Sequence, residues 1–303
     1  MYQNWDDLRY FLAVSRTNSF AGAASRLQVT HSTVARRITS MEESLNTTLF
    51  LRTEKGCRLT PAGEELLPYA EELETTVMNL EEKVHGKDSQ LSGIVRIGTP
   101  DGLGNCFLAN HLGKFQRMHP ELEVELIAVP MYYSLSKREV DILITITKPS
   151  SGNVVSRKIT KYRLGLFASK DYLAGHSKIA NKADLASHNM VDYIEDLLYD
   201  ADLKFFSEFA PDLKAKFRSS TVVGQMFAIA AGSGVGVIPY FMAYTEPELV
   251  PVLPELYIER NFWLQVNPDS RQLARVRTTI DFIVNEIESD KERFLSLPTQ
   301  PDS

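Results

Sequence analysis

The chain has 303 residues, 44% of them hydrophobic and 24% charged, with a formal net charge of −6. That length exceeds one small domain, and that balance describes a core-forming chain rather than a disordered or fibrous one. No run of about 18 apolar residues occurs, which argues against a transmembrane helix and a membrane partner, and the first residues lack the basic and apolar segments of an export signal, so a cytoplasmic location is expected.

Charge is unevenly spread. Residues 1–60 carry eight Lys/Arg against five Asp/Glu, residues 61–90 two against eight, and the remainder 23 against 26. Only the first stretch is suited to a polyanion. Within it, Trp5, Leu8, Phe11, Leu12 and Val14 recur at helical spacing and predict a helix over about 5–16. Ser19 is placed to cap a second, Ala-rich helix that buries Phe20, Ala23, Ala24 and Leu27. Thr30 caps a third, whose Val34, Ile38, Met41 and Leu45 share an inward face. His31, Ser32, Thr33, Arg36, Arg37 and Thr39 are left on or near the other face. A small helix, a turn and a dibasic helix form the pattern of a helix-turn-helix that lays its second helix in the DNA major groove. Leu49–Arg52 followed by Glu54–Leu59 predicts two short strands with a Gly-containing turn, which make a wing.

Thr60 and Pro61 open a further helix, with Thr as cap and Pro at the first helical position. It runs to about Val84, with Leu66, Ala70, Leu73, Val77, Leu80 and Val84 alternating spacings of four and three. Pro68 is expected to interrupt or kink it. Glu71, Glu72, Glu74, Glu81 and Glu82 flank the apolar stripe and leave it narrow. The stripe reads as an intermolecular seam; the alternative is a helix packed on its own domain. Residues 86–90 form a polar linker.

From residue 92 strands and helices alternate, which predicts α/β architecture with a parallel sheet. Strands are expected at 94–98, 122–129, 141–146, 164–168, 189–194, 235–238 and 262–266. Helices are expected at 104–118, 131–138, 221–231 and 270–289, followed by a frayed tail from Leu297.

These stretches together resemble the LysR-type transcriptional regulators over nearly the whole chain. The residues that carry the resemblance are Phe20–Leu27, Val34–Glu42, Leu49–Arg52, Leu59–Gly63, Arg138–Ile142 and Ala231–Pro239; each is weak alone, and their order and spacing are specific. The resemblance implies a winged helix-turn-helix over 1–60, a linker and dimerisation helix with hinge over 61–90, and an effector domain over 91–303. That domain would be periplasmic-binding-protein-like, with two α/β lobes joined by crossing strands. Lobe I would take about 92–161 plus 266–290, and lobe II about 162–265. It also implies double-stranded promoter DNA, an unidentified small-molecule effector, RNA polymerase and further copies of the chain as partners, in a dimer or dimer of dimers. No cofactor is implied. His31 stands where the family often has Gln, and Ala35 where it often has Ser, so the DNA site is not to be copied from a relative.

Within that frame His31, Ser32, Thr33 and Arg36 are candidates for base edges, and Arg37 and Arg52 for phosphates. The alternative for the Arg36–Arg37 pair is a solvated basic face. Ligands of open α/β sheets settle beyond the carboxyl ends of strands. Thr99, Pro100, Asp101 and Gly102 follow the first lobe I strand, Thr145 ends a later one, and Ser219, Ser220 and Thr221 open the lobe II helix. Such hydroxyls at a helix start suit a carboxylate ligand. Asp101 disturbs that picture: it would repel an anion and could pair with an amine, or it is simply a cap or turn residue. Tyr132, with Tyr133, could supply an aromatic wall, or pack ordinarily.

Other features point away from chemistry. Gly232–Gly236 follows a helix and precedes a strand, the reverse of a dinucleotide loop. The six histidines show no metal spacing. Cys57 and Cys106 read as reduced thiols, and Cys106 as a buried structural one without a resolving partner. No nucleophile elbow occurs, so no catalysis is expected. An architectural DNA-binding protein whose lobes only oligomerise, or an α/β ligand-binding or enzymatic protein with a vestigial DNA domain, are the other readings.

Overall fold

The computed structural model describes residues 6–53, 56–84, 91–129, 135, 139–149, 154–209, 213–268 and 270–298. The chain divides into two compact units: residues 1–89 with the stretches 136–139 and 269–274, and the remainder.

The first unit begins with α1 (Asp7–Thr17), α2 (Phe20–Leu27) and α3 (His31–Leu45). The caps are those expected: the Ser19 hydroxyl accepts from the Gly22 amide and the Thr30 hydroxyl from the Thr33 amide. Each helix ends on a left-handed residue, Asn18, Gln28 or Asn46, which turns the chain sharply enough to stack the next helix. Phe11, Val14, Ala23, Val34, Ile38, Met41 and Leu49 fill the core between them. A hairpin follows, β1 (Phe50–Thr53) antiparallel to β2 (Gly56–Leu59). Gly56 has φ of +135°, and a Cβ there would lie 2.4 Å from the Asn18 carbonyl oxygen, so only glycine lets the hairpin reach the α1–α2 turn. The Glu42 carboxylate ties α3 to the hairpin by accepting from the Leu49 and Phe50 amides at 2.6 and 3.1 Å.

Helix α4 (Pro61–Val84) is capped by Thr60, whose hydroxyl accepts from the Gly63 amide and donates to the Thr48 carbonyl. It continues through Pro68 rather than breaking there. Its two halves differ. Ala62, Leu66, Leu67 and Ala70 pack into the first unit's core, whereas Leu73, Val77 and Leu80 face outward. Glu74, expected on a solvated flank, instead grips Arg16 of α1 with both oxygens, at 3.0 and 2.6 Å.

The second unit runs β3 (Gly93–Thr99), α5 (Asp101–Leu103), a π turn over Gly104–Leu108, α6 (Ala109–Met118), β4 (Leu122–Ala128), β5 (Ile142–Thr145) and β6 (Val155–Ser169). It continues with α7 (Lys170–Ala174), β7 (Met190–Tyr193), α8 (Phe205–Phe209), β8 (Phe217–Ser219), α9 (Val222–Ala230), β9 (Val235–Pro239), α10 (Tyr240–Ala243), β10 (Leu249–Val266), α11 (Ala274–Ser289) and α12 (Lys291–Leu295). The strands form one sheet in the order β4-β3-β5-β10-β6-β9-β7-β8.

That sheet is mixed, not parallel. β3 runs parallel to β4 and β5, and β7 to β8 and β9, but β6 and β10 are antiparallel to each other and to their outer neighbours. Both central strands are far longer than their apolar segments predicted. Charged residues interrupt the apolar runs, yet Lys161 and Arg163 on β6 pair with Glu259 on β10, so the ladder continues across them. The helix after β3 starts at Asp101, three residues before the predicted start of 104. The segment predicted as helix over 131–138 falls outside the described residues except for Leu135.

Candidate functional site

The outer face of α3 is the first candidate. Val34, Ile38 and Met41 point into the core, which leaves His31, Ser32 and Arg36 exposed and Thr33 half-buried. The Thr30 hydroxyl lies 2.9 Å from both the Ser32 and Thr33 hydroxyls, so the cap also orders the first turn's polar groups. The rings of Phe20 and His31 are 6.0 Å apart, and the Arg52 guanidinium lies 5.7 Å from the same Phe20 ring. Phe20 thus gathers the start of α3 and the hairpin's Arg52 at one place.

Arg37 also has partners within the first unit. Its guanidinium donates to the buried Asp7 carboxylate at 3.1 Å, approaches Asp6 at 3.8 Å and lies over the Tyr10 ring. It is a brace between α1 and α3. Of the dibasic pair, Arg36 is the member presented to solvent.

The second candidate lies in the second unit where α5 meets α9. Asp101 is 3% exposed, and its Oδ2 accepts from the Val223 amide at 3.2 Å. Gly102 packs so closely there that a Cβ would lie 2.7 Å from Met242 Sδ and 2.8 Å from Val222 Cγ1. Burial raises the Asp101 carboxyl above the ordinary carboxylate range, against the lowering effect of the Val223, Val222, Asp101 and Gly102 amides. Thr221 caps α9 through the Gly224 amide at 3.0 Å, and the Ser219 hydroxyl accepts from the Thr221 amide at 3.2 Å. Thr99 is buried, and Pro100 and Ser220 are half-buried.

Thr145 belongs to a separate chain of hydrogen bonds. It accepts from Gln265 Nε2 at 2.7 Å and donates to the Thr147 carbonyl, while the Thr147 hydroxyl donates to Asp200 at 2.6 Å. Tyr132 and Tyr133 lie outside the described residues.

Two residues of this region escaped the sequence reading. Gln225, in the first turn of α9, is 2% exposed, and its Nε2 makes no hydrogen bond among the described residues. The signal was present: a lone amide in the apolar run Val222–Ala230. Tyr193, at the end of β7, is buried, and burial together with the Asp101, Tyr199, Tyr162 and Asp192 charges raises its phenol. It therefore stays a neutral hydroxyl.

Cys106 sits in the π turn and is half-buried, not fully buried as expected. Burial raises its thiol, which disfavours the reactive thiolate. Among the described residues no group of three or more His, Cys, Asp or Glu side chains could hold a metal ion, and no helix is long and apolar enough to cross a membrane.

Residues 5–64 match the family model described as bacterial regulatory helix-turn-helix protein, lysR family, and residues 88–288 match that of the LysR substrate binding domain. The chain is similar to the iron-regulated virulence regulatory protein IrgB of Vibrio cholerae, 27% identical over 244 residues that cover 80% of this chain and 82% of the relative. It is also similar to the HTH-type transcriptional activator TtdR of Escherichia coli, 24% identical over 295 residues that cover 93% and 94%. Among solved structures its fold resembles a full-length OxyR variant from Pseudomonas aeruginosa, with a TM-score of 0.70, 17% identity and 95% of each chain covered.

Proposed function

The chain belongs to the LysR family of transcriptional regulators, and we propose that it binds promoter DNA through α3 and the β1–β2 hairpin and changes transcription when a small molecule settles beside α9. The observation that carries the DNA half is the division of α3, with its apolar face in the core and His31, Ser32 and Arg36 on the exposed one. His31, Ser32, Thr33 and Arg36 read base edges, and Arg52 holds a phosphate from the hairpin. Arg37 positions α3 against α1 through Asp7 and offers its remaining exposed edge to a phosphate.

The effector half rests on the two flanks of the sheet. β4-β3-β5 and α11 make one lobe, about 92–161 with 266–290, and β9-β7-β8 make the other, about 162–265. Strands β6 and β10 cross between them. Thr99, Pro100, Asp101, Gly102, Ser219, Ser220 and Thr221 line the junction, with Gln225 added; Thr145, held by Gln265, is a further candidate apart from it. Effector binding favours one arrangement of the lobes, and that population shift reaches the DNA-binding heads. The work is regulation rather than catalysis, in the cytoplasm, with RNA polymerase as a further partner. The outward stripe of α4, Leu73, Val77 and Leu80, pairs with a second copy.

The test is DNA affinity measured on a preferred duplex and a scrambled one across a salt series. Arg36→Ala is expected to cost about 1–3 kcal/mol on the preferred duplex and to narrow its advantage. Arg52→Ala is expected to weaken both duplexes alike and to reduce the salt slope by about one. An Arg52→Ala protein with unchanged scrambled-duplex affinity removes the hairpin from the interface.

A further inference from the structure

On the reading of the α5–α9 junction as the effector site, its hydrogen bonds bear on the class of molecule that can settle there. A helix start is a ready-made anion seat only while its amides are free. Here four of the five amides from Thr221 to Gln225 are hydrogen-bonded within the chain. Thr221 donates to the Ser219 hydroxyl at 3.2 Å, Val223 to Asp101 at 3.2 Å, Gly224 to the Thr221 hydroxyl at 3.0 Å and Gln225 to the Thr221 carbonyl at 3.2 Å. The Val222 amide also acts on the Asp101 carboxyl. The seat is filled from within the chain, by a carboxyl carried 122 positions earlier.

Space is closed as well. Gly102, beside Asp101, has no room for even a methyl group against Met242 and Val222. On α9 itself, the buried Gln225 has an Nε2 donor with no hydrogen bond among the described residues. A neutral acceptor satisfies that donor without meeting Asp101's charge.

We infer that Asp101 is the specificity-determining residue of this site: it occupies the anion position at the start of α9 and restricts the effector to neutral or cationic small molecules. The same position without a carboxyl would accept an anion from solution.

The experiment uses the full-length chain and formate as the probe. Asp101→Ala keeps the Cβ and deletes the carboxyl, so formate replaces the missing group. Formate binding is followed by thermal unfolding at neutral pH against equal concentrations of sodium chloride. The expected result is a saturable rise in Tm for Asp101→Ala, with formate affinity at least about tenfold above that of the wild type. Asp101→Ser, which retains a capping hydroxyl, is the second variant should the alanine protein not fold, and the same gain is expected of it. Wild-type protein that takes formate as tightly as the variants overturns the inference, as does a folded variant indifferent to formate. Failure of the underlying reading looks different: formate seats in the variant, yet no neutral or cationic ligand that binds the wild type alters its DNA affinity. That result leaves Asp101 in the seat and overturns the effector assignment with its ligand class.

Discussion

The Asp101 carboxyl belongs to α5 by sequence and to α9 by hydrogen bonding. Its ionisation is set by burial, which outweighs four nearby amides and raises it above the ordinary carboxylate range. The folded state therefore holds the proton more tightly than the unfolded chain does. The stability this contributes is fully present below the unfolded pKa and is lost as pH rises through the folded one. Asp101→Asn keeps an acceptor for the Val223 amide and removes the buried charge. It is expected to be more stable than wild type at neutral pH, with the advantage closing as pH falls toward the ordinary carboxylate range. Urea unfolding at a series of pH values checks this, and identical pH slopes for the two proteins contradict it. Asp101 could be flagged from sequence because an acidic residue at a helix start is locally visible. Arg37 could not be separated from Arg36, since what distinguishes them is Asp7, thirty positions away and buried.

Among the elements, α4 is the most informative. Its first half is part of the first unit's core and its second half carries an apolar stripe outward, the stripe proposed to pair with a second copy. The joint is the Arg16–Glu74 pair, in which the Arg16 side chain is only 8% exposed. Glu74→Ala leaves that guanidinium buried without its carboxylate and is expected to destabilise the first unit by about 3 kcal/mol, read by denaturant unfolding. Leu80→Glu lies beyond the joint, on an exposed position. It is expected to weaken self-association with little change in the unit's stability, and sedimentation of an unaltered oligomer would assign the stripe no role. The caps at Ser19, Thr30 and Thr60 were readable because each cap and its amide lie three residues apart. The full lengths of β6 and β10 were not, because pairing partners about a hundred positions distant hold their charged stretches in the ladder.

At the scale of the molecule, the order of the helix-turn-helix, wing, long helix and effector stretches along the chain carried the family assignment. The junction proposed as the effector site was hidden, because Asp101 and Val223 meet only after the sheet has brought the first residues of α5 and α9 together. On the proposed reading, the departure at His31 bears on which bases are read and that at Ala35 on a phosphate contact. Sequence-specific DNA recognition is the claim on which the rest depends. The most direct measurement is selection of duplexes by the full-length chain from a random-sequence pool at moderate salt, repeated with Arg36→Ala. The account predicts an enriched motif built of two half-sites related by a dyad, as a paired α3 requires, and its loss or relaxation in the variant. A pool that retains random sequence after repeated selection, with affinity set by salt alone, would contradict it.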